Sequence, residues 1–160
     1  MTSLIETTIH SLRRISSELR PTLLDDLGLV AAIEWQAQQF ESHTGIICQC
    51  DCFLDNGDLT QDQATALFRI VQEAMTNVLR HAQASQVNIA LEEEAGEFVL
   101  RVRDDGRGIT EEERTGLRSL GLMGMRERAH LIGGTVEITG VAGKGTVLTV
   151  RVPLRVAVEE

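Results

Sequence analysis

Four stretches of this sequence carry residue types at spacings that could do chemistry. The first runs Glu73, Asn77, Arg80 and His81. Steps of four and three or four put these side chains along one edge of a helix. Asparagine is a poor residue for a helix interior. Its side-chain carbonyl, aimed out of a helix face, is nonetheless a good hard ligand for Mg²⁺, which would take its remaining ligands from phosphates and water. The same row also reads as solvated surface, where Glu, Asn and His are common. The second stretch is Asp104-Asp105-Gly106-Arg107-Gly108. A carboxylate at a strand's end can accept a hydrogen bond from an exocyclic amine such as N6 of adenine. The two glycines let backbone approach a flat ring or bend sharply. Taken alone, the stretch is equally a plain turn. In the third, Gly121-Leu122-Met123-Gly124-Met125-Arg126-Glu127-Arg128, glycines open a helix whose free N–H groups and dipole attract anions. The fourth, Gly143-Lys144-Gly145-Thr146, reads as a hairpin turn or as support behind a phosphate loop.

Elements that would position these groups follow from periodicity. Ile5, Ile9, Leu12, Ser16 and Leu19 alternate by four and three, a heptad-like seam on a helix over 2–19. Arg20-Pro21 is expected to stop it, because the residue before proline avoids helical backbone. A second helix is expected over 27–42, with Gly45 beyond its end. Residues 46–54 read as a strand and Asp55-Asn56-Gly57-Asp58 as a turn. Thr60 and Gln63 form a capping box for a helix ending near Ala82. Its apolar face comprises Ala64, Leu67, Phe68, Val71, Ala74, Met75, Val78 and Leu79. Strands are expected over 87–92 and 97–103, the second with Phe98, Leu100 and Val102 inward. A short helix over 122–131 and strands over 135–139 and 146–152 complete the chain. Hairpin-dominated strands with helices on one face make a two-layer α+β sandwich with a mixed, mainly antiparallel sheet.

The 160 residues suit one domain plus a short appendage, and 42% hydrophobic content supports a core. Aromatics amount to 3%, with no Tyr and the single Trp35, so stacking on single-stranded nucleic acid is poorly supported. A formal charge of −9 argues against nucleic acid as a partner, since a phosphate backbone needs a basic face. It leaves room for a nucleotide held by amides, helix ends and a metal ion. No apolar run approaches the roughly 18 residues that span a bilayer, and no signal peptide opens the chain. A cytoplasmic location is expected. Cys48, Cys50 and Cys52 alternate on one strand, and their plain reading is reduced thiols on a buried face. Neither G-x-x-x-x-G-K-[ST] nor G-x-G-x-x-G occurs, so a nucleotide would need another cradle.

In order, the 69–81 helix, Asp104 to Gly108, Gly121 to Arg126 and Gly143 to Thr146 resemble the four motif boxes of one ATPase family. It unites histidine kinases, type II topoisomerases, the ninety-kilodalton heat-shock chaperone and MutL. Ser16-Ser17-Glu18-Leu19-Arg20-Pro21 and onward to Leu29 resembles the stalk junction of histidine kinases that pair with NarL-type response regulators. The resemblance spans about Ile9 to Pro153. It implies residues 1–20 as the end of a dimerisation stalk, 21–30 as a linker and 31–156 as an ATP-binding catalytic domain with a short lid. The implied cofactors are ATP and Mg²⁺. Asn77 would coordinate the metal, and Glu73 would polarise a water or complete the metal shell. Arg80 and His81 would lie near the phosphates. Asp104 would read the adenine amine, with Gly106 and Gly108 shaping that side of the pocket and Thr146 beside it. Gly121 and Gly124 would hinge the lid. Implied partners are the chain's own phosphoacceptor domain and a NarL-type response regulator, within a homodimeric parent that could be membrane-anchored.

A phosphoacceptor histidine in such kinases precedes an acidic residue on the first stalk helix. His10 precedes Ser11 on what resembles the second, and His43 and His130 are out of context. The chain is therefore expected to bind ATP without phosphorylating itself. A serine-kinase anti-sigma factor of the same fold, and a non-catalytic module with a vestigial pocket, are the alternatives.

Overall fold

A computed structural model describes residues 2–54, 59–112, 120–141 and 143–154, with the side chains of 2–3, 8–22 and 141 outside the described set. The elements run α1 (Thr2–Thr44), β1 (Ile47–Phe53), α2 (Gln61–Asn77) continued by a π-turn (Val78–Ala82), β2 (Gln86–Glu94), β3 (Glu97–Asp104), α3 (Leu120–Leu131), β4 (Thr135–Val141) and β5 (Gly145–Pro153). The turn expected at 55–58 and the seam side chains at 9, 12, 16 and 19 lie outside the described residues. The α+β architecture is as expected.

The five strands order as β1-β2-β3-β5-β4. β1 runs parallel to β2, whereas the β2–β3, β3–β5 and β5–β4 pairs are antiparallel. A parallel pair needs a long crossover, and α2 supplies it. That crossover lays α2 across the sheet, over β3.

Period two sets the inner face of the sheet. Val87, Ile89 and Leu91 on β2, Phe98, Leu100 and Val102 on β3, and Leu148, Val150 and Val152 on β5 are all buried. Against them pack two helical stripes. Leu29, Ala32, Ile33, Ala37 and Phe40 recur at helical spacing on α1, and Leu67, Ile70, Val71 and Ala74 on α2, continued by Val78 of the π-turn, do so as well. The outer face of the sheet is mostly polar, with Val99 buried within it. There Arg101 bridges Glu92 at 2.7 Å and Glu94 at 2.8 Å, and Asn88 donates to Asp51 at 2.8 Å.

Where α1 breaks differs from expectation. Helical backbone continues through Arg20-Pro21, and the interruption falls at Gly28, with φ 88 and ψ 178. Proline disfavours but does not forbid a continuing helix, whereas that Gly28 conformation cannot be helical. The far end stops as expected: Gly45, at φ 75, donates its N–H to the Glu41 carbonyl at 2.9 Å.

The start of α2 is fixed by the capping box. Gln63 N–H donates to Thr60 Oγ1 at 3.1 Å, and Thr60 N–H to Gln63 Oε1 at 3.0 Å. Gln63 also reaches the Pro153 carbonyl at 3.3 Å, tying this end of the helix to the last strand. Thr60→Ala should cost about 1 kcal/mol in urea unfolding. Phe98→Ala, which empties the sheet's inner face, should cost about 3–5 kcal/mol.

Candidate functional site

The C-terminal end of α2 and the loop after β3 face one another across a cavity. The helix and its π-turn contribute Ala74, Asn77, Val78, His81 and Ala82. From β3 and its loop come Val102, Asp104, Arg107, Gly108 and Ile109, while α3 gives Leu122 and Met125. Ile138, Thr146 and Leu148 close the side formed by β4 and β5. Its empty volume, counted to the open mouth, is about 820 Å³. Walls are mostly aliphatic, with a few polar groups at separate points.

Asp104 reaches the cavity by the same alternation that builds the core. Phe98, Leu100, Val102 and Asp104 all take inward positions on β3, so a carboxylate occupies the last core-facing position of the strand. It is buried, at 8% exposure. Gly106 N–H donates to its Oδ1 at 2.9 Å, and the Thr146 backbone N–H donates to it as well. Burial pushes the carboxyl above the ordinary carboxylate range; the two backbone donors oppose the rise, and the Asp105 charge adds to it.

Asp105 does a different job. It accepts from Ser85 Oγ at 2.6 Å, from Ser85 N at 2.8 Å and from Gln86 N at 2.9 Å. The loop is thereby pinned to the start of β2. The Ser85 hydroxyl, then the Gln86 amide, hold its carboxyl below the ordinary range.

The glycine loop and the end of α2 meet at backbone level. Arg107 N–H donates to the Ala82 carbonyl at 2.7 Å, and Arg107 Nε donates to the His81 carbonyl. A Cβ on Gly106 would run into that Ala82 carbonyl. From the other side, Gly143 N–H donates to the Arg107 carbonyl at 2.9 Å. Gly145, at φ 95, lies so close to the Asp104 carbonyl that a Cβ would overlap it. Arg107 therefore links the helix end, the loop and the β4–β5 turn.

Of the residues singled out in the sequence, Asn77, His81, Asp104, Gly108 and Thr146 line this one cavity. Gly106 sits behind it, against Ala82. Glu73, Arg80, Gly121 and Gly124 are not among the lining residues. Glu73 lies one turn before Asn77, half-buried, its carboxylate where a Cβ on Gly121 would be. Gly124 lies beneath the Arg128 guanidinium, and Arg80 is exposed. The stretch 113–119 that leads into α3 is outside the described residues. Missed by the sequence reading were Arg107 as a clamp and Ile109, Met125 and Ile138 as apolar wall. Period two on β4 and period 3.6 on α3 point Ile138 and Met125 inward, but only the fold shows that they meet.

The side-chain amide of Asn77 is half-buried and makes no hydrogen bond among the described residues. No group of three described His, Cys, Asp or Glu side chains could hold a metal ion. The cavity thus offers a lone amide oxygen rather than a protein cage. That set suits a hard cation whose other ligands are phosphate and water. No described helix is long and apolar enough to cross a membrane.

Residues 62–156 match the family described as histidine kinase-, DNA gyrase B- and HSP90-like ATPase. Among curated relatives is the signal transduction histidine-protein kinase/phosphatase DegS of Brevibacillus brevis, 33% identical over 151 residues. The match covers 94% of this chain but only 39% of that protein. Among solved structures, the histidine kinase domain of the Erythrobacter litoralis EL346 blue-light activated histidine kinase superposes with a TM-score of 0.66 at 26% identity, covering 79% of this chain and 65% of that one. The Acinetobacter baumannii histidine kinase AdeS shares the fold at 14% identity, with a TM-score of 0.63 and coverage of 91% and 80%.

The two neighbouring aspartates impose opposite pH dependence on stability. With its pKa raised by folding, Asp104 retains a proton that the unfolded chain releases. Its contribution therefore falls as pH rises from the ordinary carboxylate range through the raised value. Asp105, lowered by folding, contributes stability that is present above the ordinary range and is lost as pH falls through the lowered value. Urea unfolding between about pH 3 and pH 8 checks both signs. Asp105→Asn should destabilise at neutral pH and have least effect at the acid end. Asp104→Asn should leave neutral-pH stability unchanged or raised.

Proposed function

The chain belongs to the histidine kinase-, DNA gyrase B- and HSP90-like ATPase family, and from that premise we propose that it is the ATP-binding catalytic domain of a two-component sensor histidine kinase. The observation that carries the reading is the meeting of Asn77 and Asp104, a neutral amide and a buried carboxylate, in one largely apolar cavity. Those are the two kinds of group needed at the phosphate and base ends of ATP.

In this reading the Asp104 carboxylate accepts a hydrogen bond from the adenine N6 amine. Gly106 and Gly108 shape that end, Thr146 bonds beside Asp104, and Ile109, Met125 and Ile138 cover the ring faces. The Asn77 amide oxygen would hold Mg²⁺, which would supply neutralisation of phosphate charge when bound. Glu73 would polarise a water or complete the metal shell. Arg80 and His81 lie near the phosphates, and Gly121 and Gly124 let the lid hinge and offer amides at the start of α3.

Phosphoryl transfer is mostly positioning and charge neutralisation. The domain presents the γ-phosphate outward, and a stalk histidine attacks it in line. None of the chain's four histidines is that acceptor, so the chain alone binds ATP without phosphorylating itself. Residues 1–20 are the end of the dimerisation stalk, 21–30 a linker and 31–156 the catalytic domain. The partners are the phosphoacceptor domain of a homodimeric parent and a response regulator of the NarL type. The setting is cytoplasmic, and nucleic acid is not a ligand.

Binding of an ATP analogue, measured with and without Mg²⁺, tests the assignment. Asp104→Asn should weaken binding by about 10- to 100-fold, the scale of one hydrogen bond to a charged group. Asn77→Ala should abolish the gain from Mg²⁺. Mixed with a separately made stalk segment bearing a histidine, wild type should transfer phosphate from ATP and Asn77→Ala should not. Variants that bind as tightly as wild type would sink the assignment.

A further inference from the structure

Gly121 is a glycine for which the backbone gives no reason. It is the second residue of α3, and its φ lies outside the left-handed region. Any side chain could follow that backbone, and alanine is the better helix former. What a Cβ there would meet is one side chain. The three nearest atoms all belong to Glu73: the Cβ would overlap Oε1 and come within 3.2 Å of Cδ and 3.5 Å of Cγ. The glycines at 106, 134, 140 and 145 differ. A Cβ on any of them would come within 3.0 Å of a backbone atom, from Ala82, Arg151, Ile109 and Asp104 in turn. Those glycines serve the path of the chain, whereas Gly121 makes room for a carboxylate.

No bonded partner fixes that carboxylate. Among the described residues Glu73 takes part in no hydrogen bond or ion pair. It is half-buried on α2, one turn before Asn77, and outside the cavity lining. A glutamate side chain has much rotamer freedom, so the shape of its surroundings decides where it rests. Here it rests at the first turn of α3, where unpaired N–H groups and the helix dipole favour negative charge. A methyl group at 121 would take the same space. The carboxylate is the far end of a flexible chain and would swing aside, leaving helix and fold in place.

We propose that Gly121 is a positioning residue for phosphoryl transfer, acting through Glu73 by seating its carboxylate at the seam between α2 and α3. The proposal rests on the reading that gives Glu73 a water or the metal shell to act on. Because the seat belongs to α3, the placement of Glu73 follows the placement of that helix. Alanine at 121 keeps the backbone N–H, so a contact of that amide with phosphate is retained while the seat is lost.

Two measurements on the whole chain test this. Carboxyl ¹³C NMR of wild type and Gly121→Ala needs no activity. The Glu73 Cδ resonance should shift, the Asp104 and Asp105 carboxyl resonances should not, and the urea midpoint should match or exceed that of wild type. The second measurement is phosphate transfer from ATP to the separately made stalk segment bearing a histidine. Gly121→Ala should lower the rate at saturating ATP by about 10- to 100-fold, the scale of a small misplacement of a reacting group, and leave KM for ATP unchanged. Glu73→Ala should lower the rate by a similar factor. Glu73→Ala/Gly121→Ala should lower it no further, because the atoms that the new methyl would meet are gone. An unmoved Glu73 resonance, a Gly121→Ala rate equal to wild type, or losses that multiply in the double variant would each overturn the proposal while leaving the nucleotide reading intact. A wild type that binds no ATP analogue would overturn both.

Discussion

The proposed nucleotide site depends on a contact between two stretches of backbone. Arg107 N–H meets the Ala82 carbonyl at 2.7 Å, with Gly106 pressed against the same carbonyl where no Cβ fits. This brings the end of α2 against the loop that follows β3. Asn77, fixed on the helix, and Asp104, fixed on the strand, then sit at set positions around one cavity. The π-turn Val78–Ala82 is part of the same device. Such turns are frequent at functional sites, and here Val78, His81 and Ala82 from that turn all line the cavity. Gln83, at φ 51, ends it in the left-handed region.

Electrostatics divides labour between adjacent residues. Asp104 and Asp105 are the same side chain one position apart, yet strand alternation sends one into the core and the other out to a ring of donors. The first is destabilised as an anion and held ready for a hydrogen-bond donor. The second is stabilised as an anion and serves the loop. Net charge says nothing of this. In a chain of −9, three of the 24 acidic residues, Glu92, Glu94 and Glu97, meet Arg101 and Arg151 in ion pairs on the outer sheet face. The cavity itself carries few charges.

Much of this was legible in the sequence because it is local. The Thr60–Gln63 box, the inward run Phe98, Leu100, Val102 and the stop at Gly45 each depend on a few neighbouring residues, and each stands in the fold as read. The convergence of Asn77, His81, Asp104, Gly108 and Thr146 was legible only through motif order, since no periodicity links α2 to β5. Three features were not legible. The break of α1 at Gly28 rather than at Arg20-Pro21 is a contest between a proline preference and a glycine conformation that only the tertiary path decides. The π-turn changes hydrogen-bond partners by one residue and leaves no compositional mark. The clamp role of Arg107 runs through backbone groups, so its residue type discloses little. The three alternating cysteines, expected as reduced thiols on a buried strand face, stand in β1 as free, half-buried thiols packed against the core.

The central claim is that a single nucleotide spans the distance from Asp104 to Asn77, base at one end and phosphates at the other. Amide NMR of the ¹⁵N-labelled chain tests it directly, adding adenosine first and then ADP with Mg²⁺. The account predicts that adenosine alone shifts the Asp104, Gly106 and Thr146 backbone resonances, and that ADP with Mg²⁺ adds shifts at the Asn77 side-chain amide and at Gly121 and Gly124. Shifts confined to another surface, such as the groove between Asp25 and Gln61, or an Asn77 amide indifferent to phosphate and metal, would contradict it.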